Sequence, residues 1–264
     1  MHYFAVKRMV EYIEKTQPMM LKIKGRVPSG DEIVKWKPYI HRFHEIYRRG
    51  ILAKFYQLDD WYRASPKPIT LMTLTCRHDY SKDGRYIPDG YTIAGSFEIL
   101  NEGWTKLYGV MRYHLGKFSY VRVIEPHQMG YPHYHFLIFD EIDSVLEEKI
   151  RTLYSEKYNI GSFENGVDFE FQAPKESISS VKNYIMKYVV KTINPEIMTS
   201  ELMVFNAVMW INGYRLVSAS ADLSKVMARK DGKVDDFIWT ETSVKNLKTG
   251  ETRVVRVPGE SDES

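Results

Sequence analysis

A chain of 264 residues, 44% hydrophobic and 27% charged, can bury at least one substantial core, and with no apolar run of about 18 residues and no charged-then-apolar leader it is expected neither to span a membrane nor to be secreted, leaving the cytoplasm as its compartment. A single cysteine, Cys76, rules out an internal disulfide and the familiar cysteine-based zinc frameworks, so any metal must be held by His and carboxylates. The net charge of +3 is unevenly spread: residues 1–67 hold fourteen Lys and Arg against seven Asp and Glu, a local +7 that leaves −4 for the remainder and suits a polyanionic partner.

In chain order, residues 2–16 and about 31–60 read as helices, the second because Val34, Trp36, Ile40, Phe43, Ile46 and Tyr47 recur at roughly helical spacing. Lys24 to Gly30, with Pro28, Ser29 and Gly30, reads as a turn between them, and Ser65-Pro66-Lys67-Pro68 punctuates the chain before a central domain. Ile69 to Thr75 alternates Thr with large apolar residues, the pattern of a strand with one buried face, on which Thr73 and Thr75 lie together. A polar, glycine-containing stretch at 81–91 leads to a helix around 98–115, a strand from Ser119 to Glu125, and a strand from His133 to Phe139 whose apolar run predicts burial on both faces. A helix near 141–157, a strand near 166–172, a helix at about 176–192, another at 198–213 and strands near 234–241 and 251–257 follow. The fold class expected is α+β, a central antiparallel sheet flanked by helices with a helical N-terminal and a mixed C-terminal addition. The divisions are a basic helical region at 1–66, a catalytic domain at 67–195, an extension at 196–258 and a disordered acidic tail at 259–264.

Two constellations carry chemistry. In the strand from His133 to Phe139, His133 and His135 present two imidazoles on one face while Tyr134 points to the other. If this strand pairs antiparallel with the one ending at Glu125, two nitrogens and a carboxylate converge, a set suited to a divalent cation with open positions and shared with catalytic zinc and non-haem iron. His127 and Gln128, in the intervening loop, are alternative ligands or face solvent or DNA. In the second constellation Tyr184, Lys187, Tyr188 and Lys191 fall on one helical face, each tyrosine followed one turn on by a lysine able to hold phosphate. His41 and His44, three apart on a predicted helix, and His78 and His114 are read as ordinary structural or surface residues.

Together these segments resemble the HUH nucleases, in particular rolling-circle replication initiators (Rep proteins) of plasmids and small viruses. Thr73-Leu74-Thr75 matches the family's first motif and His133-Tyr134-His135 the motif that names it, with tyrosine in place of the usual aliphatic residue; Tyr184 through Tyr188, extended by Lys191, matches the two-tyrosine motif. The resemblance implies that Glu125, His133 and His135 hold Mg²⁺ or Mn²⁺, that Tyr184 or Tyr188 attacks a scissile phosphate to give a 5′-phosphotyrosine and a free 3′-hydroxyl, and that Lys187 and Lys191 contact phosphate. It also implies contacts to single-stranded DNA at a replication origin, with Thr73, Thr75 and Arg77 as the residues expected there. The chain has no Gly-x-x-x-x-Gly-Lys-Ser/Thr loop, so a host helicase and polymerase are the partners expected. A relaxase or single-strand transposase would use the same chemistry; a non-catalytic nucleic-acid-binding module and a small-molecule metalloenzyme are the readings from other classes.

Overall fold

A computed structural model of the chain describes residues 2–82, 86–175, 178, 183, 186, 187, 189, 190, 192, 199–228 and 238–256. In chain order its elements are α1 (His2–Thr16), β1 (Met19–Arg26), β2 (Glu32–Pro38), α2 (Glu45–Ala64), β3 (Ile69–Leu74), β4 (His78–Tyr80), β5 (Tyr86–Pro88), α3 (Ile93–Leu115), β6 (Tyr120–Pro126), β7 (Pro132–Ile138), α4 (Ser144–Thr152), β8 (Val167–Gln172), α5 (Ser200–Ile211), β9 (Val217–Ala219), α6 (Ala221–Val226), β10 (Ile238–Asn246) and β11 (Thr252–Arg256). The fold is α+β with antiparallel sheets flanked by helices, as the alternation of patterns predicts. The chain divides into two compact units, one of Met1–Val6 with Arg48–Ala228 and one of Lys7–Tyr47 with Arg229–Ser264.

The larger unit is built on a five-stranded sheet in the order β8-β3-β7-β6-β9. Its middle strand β7 is buried on both faces, with Tyr134, Phe136, Leu137 and Ile138 all sealed from solvent, in agreement with the apolar run. One face packs on α3, where Ile93, Phe97, Leu100, Trp104, Leu107 and Met111 recur every three or four residues and are buried. Trp104 meets Phe136 at 4.1 Å between ring centroids. Each such side chain removed from water contributes about 1.5–3 kcal/mol, so this stripe anchors β7 firmly. Thr92 caps α3 by accepting the Gly95 N–H at 3.0 Å, which starts the helix earlier than the 98 read from periodicity alone. On the other side, Phe139 just past β7 meets Trp61 and Tyr62 of α2.

The smaller unit contains a four-stranded antiparallel sheet in the order β11-β10-β1-β2. Here the structure corrects the helix expected over 31–60: residues 32–38 are strand β2, and the helix begins only at Glu45. Val34 and Trp36 are two apart and share one face of a strand, and their apparent helical spacing arose from joining them to Ile40 and Phe43 across Pro38. The turn over Val27 to Gly30 is present, but it closes a β1–β2 hairpin, with Gly30 at φ +90°. His41 and His44 precede α2, and their Nδ1 atoms accept the backbone N–H of Phe43 and Ile46, a structural role that turns the chain. The stretch at 81–91 contributes part of an unanticipated hairpin, β4 with β5. The predicted tail at 259–264 lies outside the described residues.

Candidate functional site

The antiparallel pairing of β6 with β7 is present, and its register sets Glu125 opposite His133 and Val123 opposite His135. On the other flank of β7, β3 sets Thr73 opposite His135. Because side chains alternate across a strand, Glu125, His133, His135 and Thr73 all project from one face of the sheet. The His135 ring is held at both nitrogens. Its Nε2 lies 2.8 Å from Glu125 Oε2 and its Nδ1 lies 3.1 Å from Thr73 Oγ1. An ionised carboxylate can only accept, so Nε2–H donates to Glu125, and Nδ1 of the neutral ring accepts from the Thr73 hydroxyl. Glu125 and His135 are both buried. The carboxylate therefore reaches diagonally, past its register partner His133, to the next inward residue of β7, a reach ordinary for cross-strand neighbours.

His133 is held differently. Its Nε2 is shielded from solvent and has no hydrogen-bond partner among the described residues. Its ring stacks on that of His127, with centroids 4.1 Å apart and planes 4° from parallel. Burial, and then the neighbouring His127, His135 and His78 rings, hold its pKa well below the ordinary histidine value, so the ring is neutral and keeps a lone pair. His127, expected to face solvent or DNA, is thus half-buried against a candidate ligand. Beyond it His78 lies with its centroid 6.4 Å from that of His127, its Nδ1–H donating to the Cys76 carbonyl at 2.9 Å. Sequence reasoning left His78 as an ordinary surface residue. The signal was the shortness of the link from the Thr-rich strand, which returns the chain at once past the strand ends.

The loop between Glu125 and His133 is tightly fixed. The His127 N–H donates to the Tyr131 carbonyl at 2.7 Å, and Gly130 N–H to the His127 carbonyl at 3.1 Å. Met129 and Gly130 have φ of +61° and +80°. A Cβ on Gly130 would stand 2.8 Å from the Glu201 carbonyl oxygen at the start of α5, so the loop can approach that helix only because residue 130 is glycine. From the opposite face of the sheet, Tyr134 explains why an aromatic residue separates the two histidines. Its hydroxyl donates to Asn101 Oδ1 at 3.1 Å, its ring lies 4.7 Å from the Arg122 guanidinium carbon, and Arg122 donates to Asn101 and Ser218. This network ties β7 to α3.

Thr73, His135, Asp168, Glu170, Leu71, Met72 and Phe136 line a small cavity of about 30 Å³, in which Asp168 stands opposite Thr73 in the β3–β8 ladder. Thr75 is buried, with its backbone N–H donating to Gly166 and its carbonyl accepting from the Tyr154 hydroxyl. Arg77 is half-buried, its N–H donating to the Ile160 carbonyl. In the expected tyrosine helix, residues 183, 186, 187, 189, 190 and 192 are helical; Lys187 is exposed and Val189 sealed from solvent. Ile178 N–H donates to Asp59 Oδ1 at 3.0 Å and the Asn206 amide donates to the Thr192 carbonyl at 2.8 Å, which fixes this segment to α2 and α5. Tyr184, Tyr188, Lys191 and the side chain of Gln128 lie outside what the structure describes.

As placed, no three His, Cys, Asp or Glu side chains among the described residues converge on an ion position; the Glu125 carboxylate is turned to the His135 ring. The donor set is nevertheless compatible with a divalent cation. The 2.8 Å between His135 Nε2 and Glu125 Oε2 is close to the ~3 Å expected between adjacent ligands when metal–ligand bonds are about 2.1 Å. His133 Nε2 has no partner that an ion would need to displace.

Residues 69–193, nearly half of the chain and all of this site from β3 to the 178–192 segment, match the family model of the replication-associated protein ORF2. Searches of curated proteins and of solved structures gave no match. The match supports a replication-initiator role with DNA as the partner. No helix among the described residues is long and apolar enough to cross a membrane.

Proposed function

We propose that this chain is an HUH-type, metal-dependent single-stranded DNA endonuclease and strand transferase that nicks a replication origin through tyrosine. The observation that carries the reading is the neutral, unpartnered Nε2 of His133 beside the Glu125–His135 pair, inside a segment that matches a replication-initiator family. Glu125, His133 and His135 are the residues that would hold Mg²⁺ or Mn²⁺; nitrogen donors favour the latter. When bound, such an ion withdraws charge from a phosphodiester and makes it a better electrophile.

The chain's own residues do the rest. Thr73 and the Tyr134–Asn101–Arg122 network keep the His135 ring and β7 in place, so the donors are preorganised. A tyrosine hydroxyl, with a reference pKa of about 10, is almost wholly protonated at neutral pH, so attack depends on stabilising the charge at phosphorus; Lys187 and Lys191 serve that purpose by contacting phosphate. The Tyr184 or Tyr188 oxygen forms a bond to phosphorus and loses its proton to solvent, while the bond from phosphorus to the 3′-oxygen breaks and that oxygen takes up a proton. The products are a 5′-phosphotyrosine and a 3′-hydroxyl that a host polymerase can extend once a helicase opens the duplex. A second tyrosine allows a second cleavage and the release of a ligated circle. The test is a Mn²⁺ titration by calorimetry alongside cleavage of single-stranded origin oligonucleotides. Glu125→Gln keeps the shape of the side chain and removes its charge, and is expected to weaken Mn²⁺ binding by at least about tenfold and to lower cleavage with it. Cleavage that is undiminished in EDTA argues against the proposal.

A further inference from the structure

The four-stranded sheet of the smaller unit takes no part in the site described above. Its register sets Lys22 opposite Trp36 on one side and Ser243 on the other, Lys24 opposite Val34 and Glu241, and Met20 opposite Pro38 and Lys245. Lys22, Lys24, Val34, Trp36 and Lys245 therefore share one face. Trp36 and Val34 are 44% and 45% exposed, large apolar groups left in water on the edge strand β2. The Nζ atoms of Lys22 and Lys245 lie 5.6 and 5.7 Å from the centroid of the Trp36 ring. Lys24 is paired with Glu241 at 3.2 Å, whereas neither Lys22 nor Lys245 has a carboxylate partner among the described residues. Lysines on an edge strand are explained by protection against strand pairing. An exposed indole between two uncompensated ammonium groups is not, because it adds the apolar surface that such protection avoids.

We propose that this face is a binding platform for a single-stranded DNA segment outside the nicking site, with a base stacked on Trp36 and its flanking phosphates held by Lys22 and Lys245. Aromatic side chains on a basic sheet accept any base through its π-face, and they need that base unpaired, which selects single strands over duplex. The cation–π contacts now made by the lysines are weak at an exposed site and give way to phosphate. The choice of DNA over RNA rests on the function proposed above; the platform itself does not.

The experiment is fluorescence anisotropy of the full chain in EDTA with labelled oligothymidylate, oligouridylate and a duplex of equal length. Trp36→Ala is expected to weaken oligothymidylate binding about tenfold, Trp36→Phe to recover part of that loss, and duplex binding to change little. The double variant Lys22→Ala, Lys245→Ala tests the same face without removing the indole. It is expected to weaken binding and to lower the slope of log affinity against log salt by about 1.4, some 0.7 for each phosphate no longer held. Unchanged oligothymidylate binding in both variants, or equal losses for duplex, overturns the platform, and tighter Trp36-dependent binding of oligouridylate overturns the assignment to DNA. Because these readings are made without metal, a chain that shows Trp36-dependent binding yet never cleaves refutes only the nuclease proposal, and one that cleaves without such binding refutes only the platform.

Discussion

Gly130 sits between Glu125 and His133, and replacing it with alanine puts numbers on how tightly that loop is held. At φ +80° an L-residue is in the left-handed region, at a cost of roughly 1–2 kcal/mol. The new Cβ would also lie 2.8 Å from the Glu201 carbonyl oxygen; a backbone atom at the start of a helix does not swing aside, so loop or helix must shift, adding about 1–2 kcal/mol. Gly130→Ala is therefore expected to destabilise the protein by about 2–4 kcal/mol, a fall of roughly 5–15 °C in the unfolding temperature for a unit of this size. Gly109 is the control. It is exposed in the middle of α3, and a Cβ there would meet nothing within 4 Å, so Gly109→Ala should stabilise by about 0.5–1 kcal/mol. Thermal unfolding of both variants in EDTA decides the matter. Two shifts of the same sign, or a Gly130→Ala midpoint equal to wild type, would refute the argument from backbone and contact.

Two further expectations concern β7. His133 is held neutral by burial and neighbouring imidazoles, whereas the unfolded chain takes up that proton near pH 6.5. Its contribution to stability is thus complete above that pH and declines as the pH falls from there towards the lowered folded value, by up to about 1.4 kcal/mol per pH unit. In urea titrations of the metal-free protein the wild type should lose stability faster than His133→Gln across this window, and parallel curves would show that the ring is not held neutral. Tyr134→Phe removes a buried hydroxyl that donates to Asn101 but keeps the ring beside Arg122; a loss of about 1 kcal/mol is expected by urea unfolding, and no loss at all would mean the Asn101 hydrogen bond contributes nothing.

The parts of the site legible in the sequence were those set by local pattern. Alternation placed His133 and His135 on one face and Tyr134 on the other, and the short loop after Glu125 made the β6–β7 hairpin readable. The diagonal reach of Glu125 to His135 was not legible, because it depends on rotamers chosen by burial. Nor were the stacking of His127 on His133 and the nearness of His78, which follow from a positive-φ turn and a short hairpin with little periodicity to mark them. Strand β2 was misread because half its residues are charged and its two largest apolar side chains are exposed, so burial left no clear period. The same composition that disguised it as a helix face, lysines alternating with Val34 and Trp36, is what gives the smaller unit its basic aromatic surface.

The central claim is tested most directly by incubating the full chain with end-labelled single-stranded DNA spanning its origin, with Mn²⁺ or EDTA, and resolving the products on a denaturing protein gel. The account predicts a heat-stable protein–DNA band that requires metal and disappears in the Tyr184→Phe, Tyr188→Phe double variant. DNA that binds but yields no covalent band with Mn²⁺, or a band that persists in the double variant, would contradict it.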